Sequence, residues 1–474
     1  MMQQRNDLLA AAADFVDSGT FEADLARLVA YPTESSTPEG RVALKSYLDD
    51  IIEPAFLALG CTVARHDSWR GGLNSFLVAT RHEGADLPTV LCYGHADVVD
   101  GQDAGWTGGR SPWTLSAEGD RWYGRGSADN KGQHWINIVA LRLLLERRGS
   151  LGFNLVFLLE GAEEIGSPDL AEFAAEHRSD LQADVFIGSD GPRLAAGSPT
   201  VFLGARGGVS FDLVADLRAG SYHSGNWGGL LRNPATTISA AVASLVDGHG
   251  IIRLPELLPT GIPESVAGAL ELIDLVPNPG DPATDPGWGD GSLSPAERLY
   301  AWNTLEVLAL GAGNPDKPVN AIPGSARASL QLRFVPGTDT AGLEAAVRRH
   351  LDAAGFTMVD VSMGMSFPAS RLDPDNPWVA WAAGSLAATT GSRPVVLPNI
   401  GGSLPSFVFA DVLGLPTIWI PHSHPGCQQH APDEHLLAAV AREGLQLACG
   451  LFHDLAAAAT PLGMAATESA RSAP

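Results

Sequence analysis

Residues 1–206 alternate between two patterns of apolar and polar positions, one with helical spacing and one with the continuous apolar runs of buried strands. Helical spacing is seen in "DLARLVAYPTES" and in "GRVALKSYLDDIIEPAFLALG", and the second stretch ends at Gly60 as a helix C-terminus should. The stretch "NKGQHWINIVALRLLLERRG" predicts an amphipathic helix. Short apolar runs predict strands at 89–94, 153–160 and 184–188. This alternation predicts an α/β domain with a largely parallel sheet.

From residue 208 the apolar positions alternate strictly with polar ones. Two stretches, "GVSFDLVADLRAG" and "ARASLQLRFVPG", have this period of two and predict half-exposed antiparallel strands. Two others, "NPATTISAAVASLVDG" and "TAGLEAAVRRHLDAAG", have helical spacing. Together they predict a small α+β domain over residues 208–367.

The α/β pattern then resumes, with "VVLPN" and "PTIWIP" as predicted strands. The second domain is therefore predicted to be inserted into the first, which divides the chain into 1–207, 208–367 and 368–474. Within the inserted part, residues 277–292 are rich in Pro, Gly and Asp and predict a loop. The tail, residues 460–474, is predicted to be disordered.

Charge and composition limit the partners of this chain. It has 30 Lys and Arg against 54 Asp and Glu, a net charge of −24, which disfavours binding to nucleic acid or an anionic membrane. No apolar run reaches membrane-spanning length. Asp7, Asp14 and Asp17 interrupt the N-terminal stretch where a secretory signal needs apolar residues, so we expect a cytoplasmic protein.

The four cysteines do not have the spacing of a disulfide framework or a metal knuckle. Cys92 lies in an apolar strand pattern and is expected to pack in the core. Cys427 stands close to His430 in the sequence and is the candidate for a reactive thiol.

Acids and imidazoles follow the predicted strands. His95 and Asp97 follow the first strand, Glu163 and Glu164 the second, and Asp190 the third. After the last strand come four histidines, and one further acid stands in a Gly-rich loop just before a helix; these residues are His422, His424, His430, His435 and Asp129. Because the carboxyl ends of parallel strands share one edge of a sheet, we expect these groups to converge.

Carboxylates gathered at one place repel one another and call for cations. Oxygen and imidazole ligands without thiolate suit Zn²⁺, with Mn²⁺ and Co²⁺ as alternatives. In His95-Ala-Asp97, one residue is placed to ligate and the other to hold the second ring N–H.

Each motif alone has a plainer explanation. A His-x-Asp motif is often a satisfied polar pair, and a Glu-Glu pair is usually a solvated surface. Asp129 is also placed to cap a helix, Asp190 to form a turn, and His430 to lie on the surface. Five such coincidences at strand or helix ends are less plausible than a single metal site.

Several motifs resemble those of the zinc metallopeptidase family that includes carnosinase-type dipeptidases, carboxypeptidase G, aminoacylase, acetylornithine deacetylase and succinyl-diaminopimelate desuccinylase. They occur in that family's order and are spread over essentially the whole chain: "YGHADVV", "WYGRGSADNKGQ", "LLEGAEEIGS", "GSDGP" and "QQHAPDEHL".

The resemblance implies two metal ions bridged by Asp129. One is expected to be held further by His95 and Asp190, and the other by Glu164 and His430.

The resemblance also implies roles for the residues beside these ligands. Asp97 is expected to orient His95, and Glu163 to act as the general base. A cis peptide bond is expected between Asp129 and Asn130.

The inserted domain contains further matches to the family. "YHSGNWGG" places His223 where the family has a lid histidine that reaches the partner subunit's site, which implies a homodimer. Asn320 is expected to contact the substrate carbonyl and Arg333 to clamp a carboxylate. The turn with Gly402 and Ser403 is expected to hold that carboxylate as well.

Two departures from the family bear on the site. Asp190 stands where deacylases tend to have Glu, which favours the dipeptidase branch. The family usually has a run of small residues before its last ligand. This chain instead has "HSHPGCQQH", which ends in His430 and makes His424 an alternative to it.

Three functions follow from these expectations. The first is hydrolysis of the amide bond of dipeptides or similar small substrates with a free carboxylate. The second is deacylation of N-acyl amino acids at the same site. The third is a non-catalytic metal-binding protein, which is disfavoured because it leaves Glu163 without a role.

Overall fold

The computed structural model describes residues 2–278 and 281–457. The tail predicted to be disordered, 460–474, lies outside these residues. Within the described part, no helix is both long enough and apolar enough to cross a membrane. The helices are α1 (Met2–Asp17), α2 (Thr20–Val29), α3 (Pro38–Tyr47), α4 (Glu53–Ala58), α5 (Lys131–Arg148), α6 (Leu170–Glu176), α7 (Ser224–Trp227), α8 (Pro234–Leu245), α9 (Glu264–Leu270), α10 (Pro295–Tyr300), α11 (Leu343–Ala353), α12 (Pro377–Thr390) and α13 (Ala438–Ala457).

The strands fall into one large sheet, a second smaller one and three short ladders. In chain order they are β1 (Thr62–His66), β2 (Phe76–Arg81), β3 (Thr89–His95), β4 (Ser116–Glu118), β5 (Arg121–Tyr123), β6 (Asn154–Glu160), β7 (Val185–Gly188), β8 (Thr200–Phe202), β9 (Gly204–Ala205), β10 (Gly207–Asp216), β11 (Tyr222–His223), β12 (Thr304–Gly311), β13 (Ala321–Ile322), β14 (Ser325–Phe334), β15 (Asp360–Phe367), β16 (Ser370–Arg371), β17 (Val395–Leu397), β18 (Thr417–Trp419) and β19 (His435–Leu437).

The large sheet has the strand order β1-β2-β6-β3-β7-β18-β8-β17. Its central strands β6, β3, β7 and β18 pair in parallel, as do β8 and β17, whereas β1, β2 and the β18–β8 contact are antiparallel. The predicted α/β fold with a mostly parallel sheet is therefore confirmed.

This sheet is buried on both faces, which explains the continuous apolar runs of its strands. On β3, Val90 and Cys92 join one apolar cluster with residues of α1, α5 and α13. Leu91 and Tyr93 point the other way, into a cluster with residues of α6 and α9. The sheet thus lies between two layers of helices, which cover its faces but not the edges where its strands end.

The helix predicted from "NKGQHWINIVALRLLLERRG" is not amphipathic, and that expectation was wrong. From Lys131 to Leu141 every residue of α5 is buried. The reason is its position between the sheet and the other helices of its layer, since α5 contacts β3 and also α1, α2 and α13. The helix begins one residue after Asn130 and therefore presents its N-terminal end to the edge of the sheet where β3 ends.

The smaller sheet is antiparallel, with the order β12-β14-β10-β15. One face packs against α8 and α11 through an apolar cluster that includes Phe211, Leu330 and Val347. The sequence pattern predicts β10, β14 and both helices but does not reveal β12 and β15, whose residues are mostly exposed or half-buried. That residues 208–367 form a separate inserted domain stays a prediction.

Candidate active site

Five segments bring acids and imidazoles to one edge of the large sheet. Their ligand atoms form two groups in which all atoms lie within 4.8 Å of one another. The first group contains His95, Asp129 and Asp190, and the second contains Asp129, Glu164 and His430. Asp129 belongs to both groups. It stands two residues before α5 begins and lies between the two groups.

The two oxygens of Asp129 face different histidines. Oδ1 lies 3.1 Å from Nε2 of His95, and Oδ2 lies 3.1 Å from Nε2 of His430. Asp190 Oδ2 is 3.8 Å from the same His95 nitrogen, and Glu164 Oε2 is 3.0 Å from Nε2 of His430. A carboxylate that presents one oxygen to each group has the geometry of a bridging ligand.

Asp97 makes contacts on two sides. Its Oδ1 lies 3.4 Å from Nδ1 of His95, whose ring also contacts the Asp97 carbonyl oxygen at 3.1 Å. The same carboxylate accepts the backbone N–H groups of Glu163 and Glu164, each at 3.1 Å. Asp97 therefore fixes the histidine ring and also the turn on which both glutamates stand, a second contact that the sequence does not reveal.

The carboxylates of this cluster outnumber its imidazoles, and the pKa values of both are shifted. Burial raises the pKa of Glu164 to about 7 and that of Asp190 to about 6, and it raises the pKa of Glu163 well above its ordinary value. For Asp129, burial also acts upward, but hydrogen bonds from the two histidines lower the pKa overall. Hydrogen bonds with Asp129 and Glu164 raise the pKa of His430 to about 11. Crowded carboxylates therefore hold positive charge strongly at this edge of the sheet.

The donor set fits two divalent cations. Glu164 Oε1 and Asp190 Oδ2 are buried and have no hydrogen-bond partner among residues 2–278 and 281–457. Buried carboxylate oxygens without partners are costly unless a cation occupies the space beside them. Oxygen and imidazole ligands without thiolate suit Zn²⁺, Mn²⁺ or Co²⁺.

The histidine-rich segment after β18 contributes His430 to the cluster, and His424 lies elsewhere. His424 is buried against His435, with ring centroids 5.4 Å apart, and belongs to neither ligand group. Cys427 is also buried, and burial raises the pKa of its thiol to about 12. A thiol that stays protonated near neutral pH is a poor nucleophile, so burial argues against Cys427 as a reactive thiol.

The peptide bond between Asp129 and Asn130 is cis, as the resemblance predicts.

A cleft of about 480 Å³ opens beside the ligand groups. Glu163, Glu164 and His430 line it, and so do Arg333 and Ser403. Apolar side chains complete its wall, among them Phe367, Leu404, Phe407 and Val408. One cleft thus joins the acidic cluster to a basic side chain.

Arg333 is held by neutral oxygens. Its Nη1 donates to Ser403 Oγ at 2.8 Å and its Nε to Gln331 Oε1 at 3.0 Å. Ser403 Oγ in turn donates to the carbonyl oxygen of Arg206 at 2.9 Å, and Gly402 precedes it in the same turn. Since these partners carry no charge, the guanidinium keeps its full positive charge for an anion in the cleft.

Sequence reasoning missed Gln331, which lines the cleft beside Arg333. The signal was present, because residues two apart on β14 lie on the same face of the strand.

His223 and Asn320 are not part of this cleft. Both are exposed: His223 pairs with Ala321 on the short β11–β13 ladder, and Asn320 directly precedes β13. The backbone N–H of Ser224 donates to the carbonyl oxygen of Asn320 at 2.9 Å. Neither side chain lines the cleft of its own chain.

At the strand ends of this α/β sheet, two overlapping groups of carboxylates and imidazoles lie beside a cleft. This arrangement is typical of metal-dependent hydrolases. Residues 91–454 match the family model described as Peptidase family M20/M25/M40, and the chain belongs to this family. The protein is therefore a metallopeptidase, and the family resemblance carried by its motifs is confirmed.

Individual relatives cover most of the chain. It is 30% identical over 363 residues to a cysteinylglycine-S-conjugate dipeptidase from Corynebacterium striatum, covering 73% of this chain and 76% of the relative. It is 27% identical over 387 residues to the beta-Ala-His dipeptidase of Homo sapiens, covering 78% and 75%. The structure of an M20 family metallo-carboxypeptidase from Sulfolobus solfataricus superimposes with a TM-score of 0.77 at 23% identity, covering 92% of this chain and 99% of that one.

Proposed function

We propose that this protein hydrolyses the amide bond of dipeptides, or of similar small substrates with a free carboxylate, with two divalent metal ions. The observation that carries the proposal is the single cleft lined at once by Glu163, Glu164 and His430 and by Arg333 and Ser403. A substrate anchored there by its carboxylate presents its amide bond toward the acidic cluster.

In this proposal the metal ligands are His95, Asp129, Asp190, Glu164 and His430, with Asp129 shared between the two ions. Zinc is the favoured metal because oxygen and imidazole donors suit it, with manganese and cobalt as alternatives. When bound, such ions polarise the scissile carbonyl and lower the pKa of water.

Glu163 is the proposed general base. It lines the cleft, it belongs to neither ligand group, and its backbone is held by Asp97. Its carboxylate takes a proton from the attacking water and passes it to the nitrogen of the leaving amine.

The proposed clamp for the substrate carboxylate consists of Arg333, Ser403 and the turn at Gly402. Gln331 and Ser403 each accept one N–H of the guanidinium, which leaves three of its five N–H groups to turn toward an anion. Asn320 and His223 are proposed to contact the scissile carbonyl from a partner subunit.

A homodimer through residues 208–367, which we propose form an inserted lid domain, is consistent with the surface of the smaller sheet. Strand β12 is an edge strand, and its Val307, Leu308 and Leu310 are exposed. An apolar edge strand is a ready template for pairing with another chain. The cytoplasmic location stays a prediction.

Deacylation of N-acyl amino acids is the second candidate, because the clamp recognises only the carboxylate end of a substrate. Asp190 favours the dipeptidase, because deacylases of the family that this chain resembles tend to have Glu at this position. A panel that pairs each dipeptide with its N-acetylated form separates the two. Faster cleavage of the free amine supports the dipeptidase, and faster cleavage of the acetylated form supports the deacylase.

The purified protein is expected to hold about two divalent metal ions per chain, as two overlapping ligand groups require. Asp129→Ala is expected to lose both ions, because Asp129 supplies an oxygen to each group. Elemental analysis of the dialysed protein measures this. Asp212→Ala, which removes a carboxylate from the smaller sheet, is the control and should keep both ions. A full metal complement in Asp129→Ala would contradict the bridge.

Arg333→Ala is expected to raise KM about 10- to 100-fold for dipeptides with a free carboxylate, because a charge-assisted hydrogen bond contributes about 1.5 to 3 kcal/mol. The KM for the corresponding dipeptide amides should change little, since they cannot use the clamp fully. Steady-state kinetics on matched acid and amide substrates measures the difference.

Arg327→Ala is the matched control for this prediction. Arg327 lies on the same face of β14 as Arg333, but it pairs with Asp212 and does not line the cleft. Equal losses on acid and amide substrates in Arg333→Ala would mean that the guanidinium does not bind the substrate carboxylate.

A further inference from the structure

Glu434 is a buried carboxylate that the proposed reaction does not use. It is 1% exposed, and both of its oxygens are fully engaged. Oε2 accepts from Arg125 Nη1 at 2.8 Å and from the backbone N–H of Gly126 at 3.0 Å. Oε1 accepts the backbone N–H groups of Ala128 and Asp129, each at 3.0 Å. One side chain therefore holds four donors of the loop that ends in Asp129.

Arg125, which forms an ion pair with Glu434, also contacts a third segment of the chain. Arg125 Nη2 donates to the carbonyl oxygen of Asp100 at 3.0 Å, in the stretch that follows His95 and Asp97. Glu434 thus connects the segment that follows β3, the loop before α5 and the segment that carries His430. These three segments supply the ligands His95, Asp129 and His430.

The segment before Glu434 has a backbone that needs external support. Gln428, His430 and Asp433 have φ angles of 59°, 60° and 62°, in the left-handed region that non-glycine residues rarely adopt. Such conformations persist where the surroundings fix them. Here the backbone N–H of Gly124 donates to the Glu434 carbonyl oxygen at 2.9 Å, which pins the end of the segment.

We propose that Glu434 is a positioning residue that locks His430 and Asp129 to each other, so that the ligand group of Asp129, Glu164 and His430 is preformed before metal binds. This inference rests on the proposed metal site. Glu434 does not line the cleft, so it acts on the reaction only through the ligands that it holds.

Glutamine cannot replace Glu434 in this role. All four groups that contact the Glu434 carboxylate are N–H donors, whereas an amide offers one accepting oxygen and one NH₂ group. In either orientation the NH₂ group of Glu434→Gln faces two N–H donors and leaves them unpaired in a buried place. The loop and the His430 segment then lose their common anchor while the shape of the side chain is kept.

The test is a titration of the metal-free full chain with Co²⁺, followed by visible absorption, which reports the coordination of each bound ion. Wild type is expected to bind two equivalents. Glu434→Gln is expected to bind one of the two about 10- to 100-fold more weakly, the usual range for a group that holds a metal ligand in place, and with a changed spectrum.

Asp454→Asn is the matched control. Asp454 also accepts from an arginine, with its Oδ1 2.9 Å from Arg5 Nε, and from Ser385 Oγ at 2.6 Å, but it joins α1 to α12 and α13 and not the ligand segments. Asp454→Asn should lower Tm without changing Co²⁺ affinity or the spectrum.

The outcomes separate this inference from the proposed function. Unchanged Co²⁺ affinity and spectrum in Glu434→Gln would overturn the positioning role while leaving the metal site intact. A wild-type chain that binds no Co²⁺ would overturn both. If Glu434→Gln does not fold, Glu434→Asp is titrated in its place, because it keeps both accepting oxygens on a shorter side chain. Weaker Co²⁺ binding by this variant supports the role, and unchanged binding overturns it.

Discussion

Glu163→Gln protein is expected to keep its metal ions and its fold but to turn over substrate about 100- to 10,000-fold more slowly, the usual loss when a general base is removed. An amide of the same size cannot accept the proton of the attacking water. The backbone hydrogen bond from residue 163 to Asp97 does not involve the side chain and is kept. The measurement is kcat together with the metal content of the same sample.

Glu172→Gln is the control for this prediction, because Glu172 also lines the cleft but belongs to neither ligand group. Its kcat should stay close to that of wild type. If Glu163→Gln keeps a near-native rate, the base lies elsewhere in the cleft. If it loses metal, Glu163 is a ligand and its assigned role is wrong.

His223→Ala is expected to lower kcat strongly while the metal content stays unchanged. Loss of one donor to the developing oxyanion typically costs about 2.7 to 4 kcal/mol, or about 100- to 1,000-fold in rate. His223 is exposed and does not line the cleft of its own chain, so the proposed action has to come from a second subunit.

Mixing His223→Ala with Glu163→Gln tests that action across the interface. If His223 serves the partner's site, a heterodimer has one intact site and one doubly damaged site, and activity returns. If it serves its own chain, both sites stay damaged. The control mixes Glu163→Gln with the double variant Glu163→Gln/His223→Ala, which leaves no site with its base and should stay inactive.

Subunit exchange is shown with two differently tagged chains that co-purify after mixing. An inactive mixture with proven exchange would contradict the cross-subunit role of His223.

The sequence predicts which residues gather at the candidate site because most of the proposed ligands follow strands. His95, Glu164 and Asp190 come directly after apolar runs, and the shared edge of a parallel sheet brings such residues together whatever the details of the helices. The division of labour between Glu163 and Glu164 cannot be derived in this way. It depends on which carboxylate turns toward His430, and that contact is made by residues far apart in the chain.

The features that the sequence did not reveal depend on burial or on neighbouring strands. Glu434 stands in "APDEH", which has the composition of a solvated turn, and only the folded chain shows its carboxylate among four buried donors. Strand β12 reads "TLEVLALG" and lacks a clear alternation, because it lies at a sheet edge with most residues exposed. Helix α5 has charged residues at its C-terminal end that suggest an exposed face, but its neighbours bury the rest.

Strand β18 lies between β7 and β8 in the large sheet, although its residues, 417–419, are synthesised long after those of both neighbours. During synthesis the proposed ligands of the first group have all emerged once Asp190 is made, whereas His430 follows long after, 301 residues beyond Asp129. A nascent chain therefore carries one complete ligand set for a long time before it can close the sheet and gain the other. Because pairing across such a separation forms late, we expect the proposed second ion to enter only at the end of folding.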